Sequence, residues 1–70
     1  MGPEVVHVER AEDKTVREVI ISYSGIDFTF KKVDGKVRNT SRSTFRRNTF
    51  IPKHEYAVLI AVANAVFADT

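Results

Sequence analysis

Cysteine and tryptophan are absent from this chain, and its 70 residues include only three glycines, two prolines and two histidines. Without cysteine there is no disulfide framework, no thiolate zinc site and no cysteine nucleophile. His7 and His54 are the only imidazoles and lie far apart in sequence, so a histidine-held metal is not expected either. The glycines are terminal or turn residues, which leaves no Gly-rich phosphate loop. Long apolar runs are missing too. The longest, Tyr56 to Ala63, falls well short of the roughly 18 residues a membrane span needs and sits at the wrong end for a signal peptide. Val6 stands where the myristoylation pattern requires Ser or Thr. These absences lead to the expectation of a soluble chain, cytoplasmic or associated with a nucleoid or nucleus.

What is present is one small domain, residues 1–70, of 7.9 kDa. A chain of this size buries only about 60% of the surface its unfolded form exposes, and without staples it is marginal unless it packs well or finds a partner. Catalysis is not expected. The candidate bases are two unpaired histidines and scattered carboxylates, with no pattern that brings them into one concavity. Neither a cofactor nor a metal is implied.

The net charge of +2 conceals a strong asymmetry. Residues 1–30 carry three bases and six acids, residues 31–54 eight bases and one acid, and residues 55–70 two acids. A basic block in the middle of the chain points to a polyanionic partner, because a local field survives even where the total charge nearly cancels.

The order of elements reads as four strands and then a helix, an α+β fold with a four-stranded antiparallel meander and one C-terminal helix packed on one face. Val5 to Arg10 and Val16 to Tyr23 are rich in β-branched residues, with Ala11-Glu12-Asp13-Lys14 as a four-residue loop between them. Ile26, Phe28 and Phe30 alternate with Asp27, Thr29 and Lys31, the period of a half-buried strand. Asp34-Gly35 is a strong hairpin signal, because a type I′ turn needs positive φ at both central residues. A fourth strand then starts at Lys36.

Two-residue loops at Ser24-Gly25 and Asp34-Gly35 place Val19, Ile21, Tyr23, Ile26, Phe28, Phe30 and Val37 on one side. Lys36, Arg38, Thr40 and Arg42 fall on the other. The four-residue loop adds Val6, opposite Val19, to the apolar side, and sets His7 opposite Glu18. The sheet is thus expected to have an apolar face and a basic one. Lys31 opposite Arg38 is a like-charge pair, which costs stability unless an anion or Glu18 relieves it. Residues 39–49 contain poor helix formers and read as a strand fraying into a loop.

Pro52 suits a first helical turn, and the helix is expected from about Lys53 to Ala68. Tyr56, Leu59, Ile60, Ala63, Val66 and Phe67 form the stripe that covers the sheet. A second apolar stripe contains Val58, Ala61, Val62 and Ala65, and a helix apolar all round needs burial all round. This predicts a homodimer through the C-terminal helix at those four residues.

The basic block reads as a nucleic-acid surface. Lys31, Lys36, Arg38, Arg42, Arg46 and Arg47 supply charge for phosphates, and short polar side chains such as Thr40 lie among them. Phe45 is readable equally as a stacking platform or a core residue; for Phe50 the core reading is favoured. The expected function is non-sequence-specific binding of nucleic acid, single strands preferred. Two alternatives stand beside it: a small regulatory interaction module of viral or plasmid type that docks on an acidic protein, and an architectural protein of duplex DNA.

The order of elements and the segment Phe50-Ile51-Pro52-Lys53-His54-Glu55-Tyr56-Ala57-Val58-Leu59 resemble the whirly-type modules, the positive-cofactor-four transcriptional coactivators and the related PUR repeats. In those proteins an apolar pair leads through Pro or Asn-Pro into a helix carrying Glu-aromatic and then Leu, as Ile51-Pro52, Glu55-Tyr56 and Leu59 do here. The resemblance covers roughly residues 16–67. It implies a homodimeric single-stranded DNA or RNA binder, active in transcription regulation, whose sheet and hairpin loops hold the strand with basic and aromatic side chains. Lys31, Lys36 and Arg38 match its basic positions. Residues 39–49 depart from it, with Ser, Thr and Arg where the family has glycine and aromatic residues, so duplex DNA and an acidic protein stay open as partners.

Overall fold

The computed structural model describes residues 2–40 and 52–69. Strands β1 (Glu4–Arg10), β2 (Val16–Tyr23), β3 (Ile26–Val33) and β4 (Lys36–Asn39) form one antiparallel sheet in the order β1-β2-β3-β4, followed by helix α1 (Lys53–Phe67). The ββββα architecture is the one the sequence pattern predicts.

Two tight turns set most of the register. Ser24 and Gly25 have φ of 53° and 76°, and Asp34 and Gly35 have φ of 52° and 77°, the double positive φ of a type I′ turn at both hairpins. This backbone is cheap for Gly and tolerable for Ser and Asp. The turns pair Tyr23 with Ile26, Ile21 with Phe28, Val19 with Phe30, and Lys31 with Arg38.

The first hairpin departs from expectation. Val8, not Val6, lies opposite Val19; Val5 lies opposite Ile21, and His7 opposite Ile20 rather than Glu18. The cause is local chemistry in the loop. The Asp13 carboxylate accepts hydrogen bonds from the Thr15 hydroxyl (2.6 Å) and the Thr15 N–H (3.1 Å), which draws Thr15 into the turn. These bonds also hold the Asp13 carboxyl below its ordinary range, the hydroxyl bond contributing most. The Ala11 N–H then closes the turn on the Thr15 carbonyl (2.9 Å), and Lys14 is held at φ 72°. The longer loop moves the pairing by one residue, the irregularity at Glu9/Arg10 adds a second along Glu9 to His7, and the irregularity at Val5/His7 takes one back. Val6 falls at the first of them and is 51% exposed.

The core is one layer between sheet and helix. Val16, Val19, Ile21, Phe28, Phe30, Leu59, Ala63 and Phe67 are buried, and Tyr56, Ile60, Val62 and Val66 pack against them half-buried. Leu59, Ala63 and Phe67 lie at i, i+4, i+8, so the covering stripe is the expected one. Val62 is a correction: it flanks this stripe and packs on the core, leaving Val58, Ala61 and Ala65 on the outward side. One helix is too narrow for four strands. It lies over β2 to β4, and Val5 and Val8, although on its side of the sheet, each remain 37% exposed.

Both ends of α1 are tied to the sheet. Pro52 sits at the N-cap position rather than in the first turn, and its carbonyl accepts from the Glu55 and Tyr56 N–H groups (both 3.0 Å). At the far end the Arg10 guanidinium donates to the Asp69 carboxylate and carbonyl (both 3.2 Å) and to the Lys14 carbonyl (2.8 Å).

Near the start of the helix, the Tyr23 hydroxyl donates to the Glu55 carboxylate, and this bond pushes the phenol up from its ordinary value near 10.0, with desolvation and the adjacent negative charge adding to it. A raised folded-state value means the bond stabilises fully below about pH 10 and is lost as pH rises through the shifted value. Ultraviolet titration is therefore expected to show a delayed tyrosinate step that coincides with loss of stability, and Tyr23→Phe should abolish that step. Its survival in the variant means the bond to Glu55 is not the cause.

Candidate nucleic-acid interface

Strand pairing determines which side chains share the face turned away from the helix, because cross-strand partners point the same way and alternate along each strand. That face carries Glu4, His7 and Glu9 from β1, Glu18, Ile20 and Ser22 from β2, Asp27, Thr29, Lys31 and Val33 from β3, and Lys36 and Arg38 from β4. The expected wholly basic face is thus corrected to a divided one. Its acids lie mainly on β1 and β2 and its bases on β3 and β4. Alternation sorts polar from apolar side chains, but the sign of each charge follows the strand it belongs to.

Glu18 marks the border. Its Oε1 lies 3.6 Å from Lys31 Nζ and its Oε2 lies 3.8 Å from His7 Nε2. His7 thus reaches Glu18 diagonally. Lys31 is flanked by Glu18 on β2 and Arg38 on β4, each directly opposite it. The carboxylate relieves the like-charge pair and also weakens Lys31 as a ligand for anions. An exposed pair of this kind contributes on the order of 0–1 kcal/mol.

Of the expected contact residues, the fold brings Lys31, Lys36 and Arg38 together on one exposed surface at the β3–β4 hairpin. Thr40 extends it. Its N–H bonds to the Thr29 carbonyl (2.8 Å), and its hydroxyl donates to the same oxygen (3.3 Å), so the hydroxyl proton is engaged within the sheet. Arg42, Phe45, Arg46 and Arg47, like Phe50, lie outside the described residues. For the expected dimer contact, Val58 is 48% exposed and Ala61 and Ala65 are exposed beside it.

A feature not anticipated lies on the other side of the same hairpin. Lys32, opposite Val37, faces the helix side, and with Gly35, Lys36, Asn64, Phe67 and Ala68 these residues line an open concavity of about 440 Å³. The alternation already places Lys32 among apolar neighbours, and that misplaced charge is the sequence signal for it.

Elsewhere, His54 is exposed and lies 3.7 Å from Glu55. Among the described residues no group of three or more His, Asp or Glu side chains is placed to hold a metal ion, and no helix is long and apolar enough to cross a membrane. Comparison of the chain with protein-family models, curated proteins and solved structures finds no match.

Proposed function

We propose that this protein binds nucleic acid through backbone phosphates, without reading sequence and with a preference for single strands. The observation that carries the reading is the pairing of Lys31 directly with Arg38, beside exposed Lys36. Like charges directly opposed across a sheet destabilise it. Glu18 relieves part of that cost from the Lys31 side; an anion lying across the pair removes the rest, and a phosphate chain supplies anions at regular spacing. In sequence, Arg42, Arg46 and Arg47 follow the same strand and carry three further positive charges. The ββββα order, which the resemblance to whirly-type modules implies, favours a strand laid on the sheet over a helix inserted in a groove.

The reading includes a homodimer through the outward stripe of α1, with Val58, Ala61 and Ala65 as its centre and Val62 at its edge. Those apolar side chains gain burial from a second copy that one sheet does not offer.

Fluorescence anisotropy with matched single-strand, duplex and RNA probes of unrelated sequence tests the reading. Six phosphate contacts to a single strand give a log–log salt slope of about −4. Saturable binding with that slope, tightest for single strands, is the expected result. Salt-independent binding, or no retention of any probe at physiological salt, rejects it, and the second outcome favours an acidic protein as partner. Sedimentation equilibrium of the same protein should give twice the 7.9 kDa chain mass, and 7.9 kDa rejects the dimer.

A further inference from the structure

We propose that the concavity at the tip of the β3–β4 hairpin is a binding site for a single nucleotide unit, its phosphate held by Lys32 and Lys36 and its base set against Val37 and Ala68. The inference rests on the nucleic-acid reading for its choice of ligand and on the cavity itself for the rest.

The space, about 440 Å³, lies within the range of about 300–1,000 Å³ typical of small-molecule sites. Its lining is mainly polar, sets the small apolar surface of Val37 and Ala68 beside two cations, and contains no acidic side chain. Lys32 and Lys36 make no ion pair among the described residues, whereas neighbouring Lys31 is drawn to Glu18. Two unneutralised ammonium groups beside an apolar wall suit a ligand with one anionic end and one flat apolar body. An inorganic ion would leave the wall unused, and a fatty chain would leave one cation over.

Further details fit a nucleotide. The Asn64 amide donates to the Ile60 carbonyl (3.0 Å), and its Oδ1, which takes no hydrogen bond among the described residues, can accept from an amino or imino group of a base. Gly35 has open space where a Cβ would stand, so the mouth beside Lys36 is clear. Phe67 is only 4% exposed, so the apolar contact falls mainly to Val37 and Ala68. Lys36 belongs by register to the outer face yet also lines the concavity, so a strand crossing Lys31 and Arg38 can turn around the hairpin tip and seat one nucleotide behind it.

Chemical-shift mapping of ¹⁵N-labelled protein with thymidine 5′-monophosphate is the test. The amides of Gly35, Val37 and Ala68 are expected to move and saturate, and unphosphorylated thymidine should bind far more weakly. Lys32→Gln removes one charge-assisted contact and should weaken the monophosphate by about tenfold or more. Arg17→Gln, an equal change in net charge outside the cavity, should leave the affinity unchanged. Unmoved cavity amides, equal weakening by both variants, or the same response to inorganic phosphate as to the nucleotide each overturn the proposal. A long strand that binds while the mononucleotide leaves these amides still overturns this site and spares the function proposed above. Mononucleotide binding here in a protein that ignores long strands does the reverse.

Discussion

Phe28→Ala is expected to cost about 3–5 kcal/mol and to bring the isolated chain close to half-unfolded in water. Phe28 is among the largest fully buried side chains, at 0% exposure, and it sits in a core one layer thick. Truncation leaves a cavity with no second layer able to collapse into it. At roughly 0.05–0.15 kcal/mol per residue, 70 residues hold about 3.5–10 kcal/mol in total, so one side chain carries a large share. Urea unfolding followed by circular dichroism should show the midpoint falling towards zero denaturant. Val8→Ala is the control: Val8 shares the helix side of the sheet but stays 37% exposed beyond the helix, so its loss should cost under about 1 kcal/mol. An unchanged midpoint for Phe28→Ala sinks the description of the core. A large cost for Val8→Ala would instead mean that β1 is covered by another chain in solution.

The contrast between these two positions also marks where sequence reasoning stops. The alternation Ile26, Phe28, Phe30 and the turns at Ser24-Gly25 and Asp34-Gly35 are local signals, each sufficient for its own hairpin, and together they define β2 to β4 and their register. The register of β1 depends on the Asp13 carboxylate capturing Thr15 and on the irregularity at Glu9/Arg10, both invisible to hydrophobic period, and together they set Val8 rather than Val6 opposite Val19. How far the helix reaches over the sheet depends on widths in three dimensions, which is why Val62 packs on the core and Val5 and Val8 are left uncovered. For the site, the basic residues of β3 and β4 could be named because they lie within one hairpin. The acidic half of the same face comes from a distant stretch of chain and meets them only through strand pairing, as Glu18 meets Lys31.

That meeting makes the charge-reversal pair Lys36→Glu/Arg38→Glu the most demanding test of the proposed function. Two reversals change the formal net charge from +2 to −2, and both residues are exposed, so neither touches the core. Each lost contact to a phosphate is worth roughly 1.5–3 kcal/mol as a charge-assisted bond, and each new carboxylate repels the chain it replaced a contact to. Affinity for a single-stranded oligonucleotide is expected to fall by at least about a hundredfold, and the salt slope should shrink from about −4 to about −3 as two contacts disappear. Stability should move in the opposite direction. Lys31 faces Arg38 across the sheet, so Glu at position 38 turns a repulsive cross-strand pair into an attractive one, a gain of a few tenths of a kcal/mol. Glu18→Gln provides the converse, since freeing Lys31 from its carboxylate should strengthen binding severalfold while removing the charge that relieves the Lys31–Arg38 repulsion. A surface shaped only for folding has no reason to show this opposition. If the double reversal binds as well as the parent chain, or if binding and stability fall together, Lys36 and Arg38 are not where the anion lies.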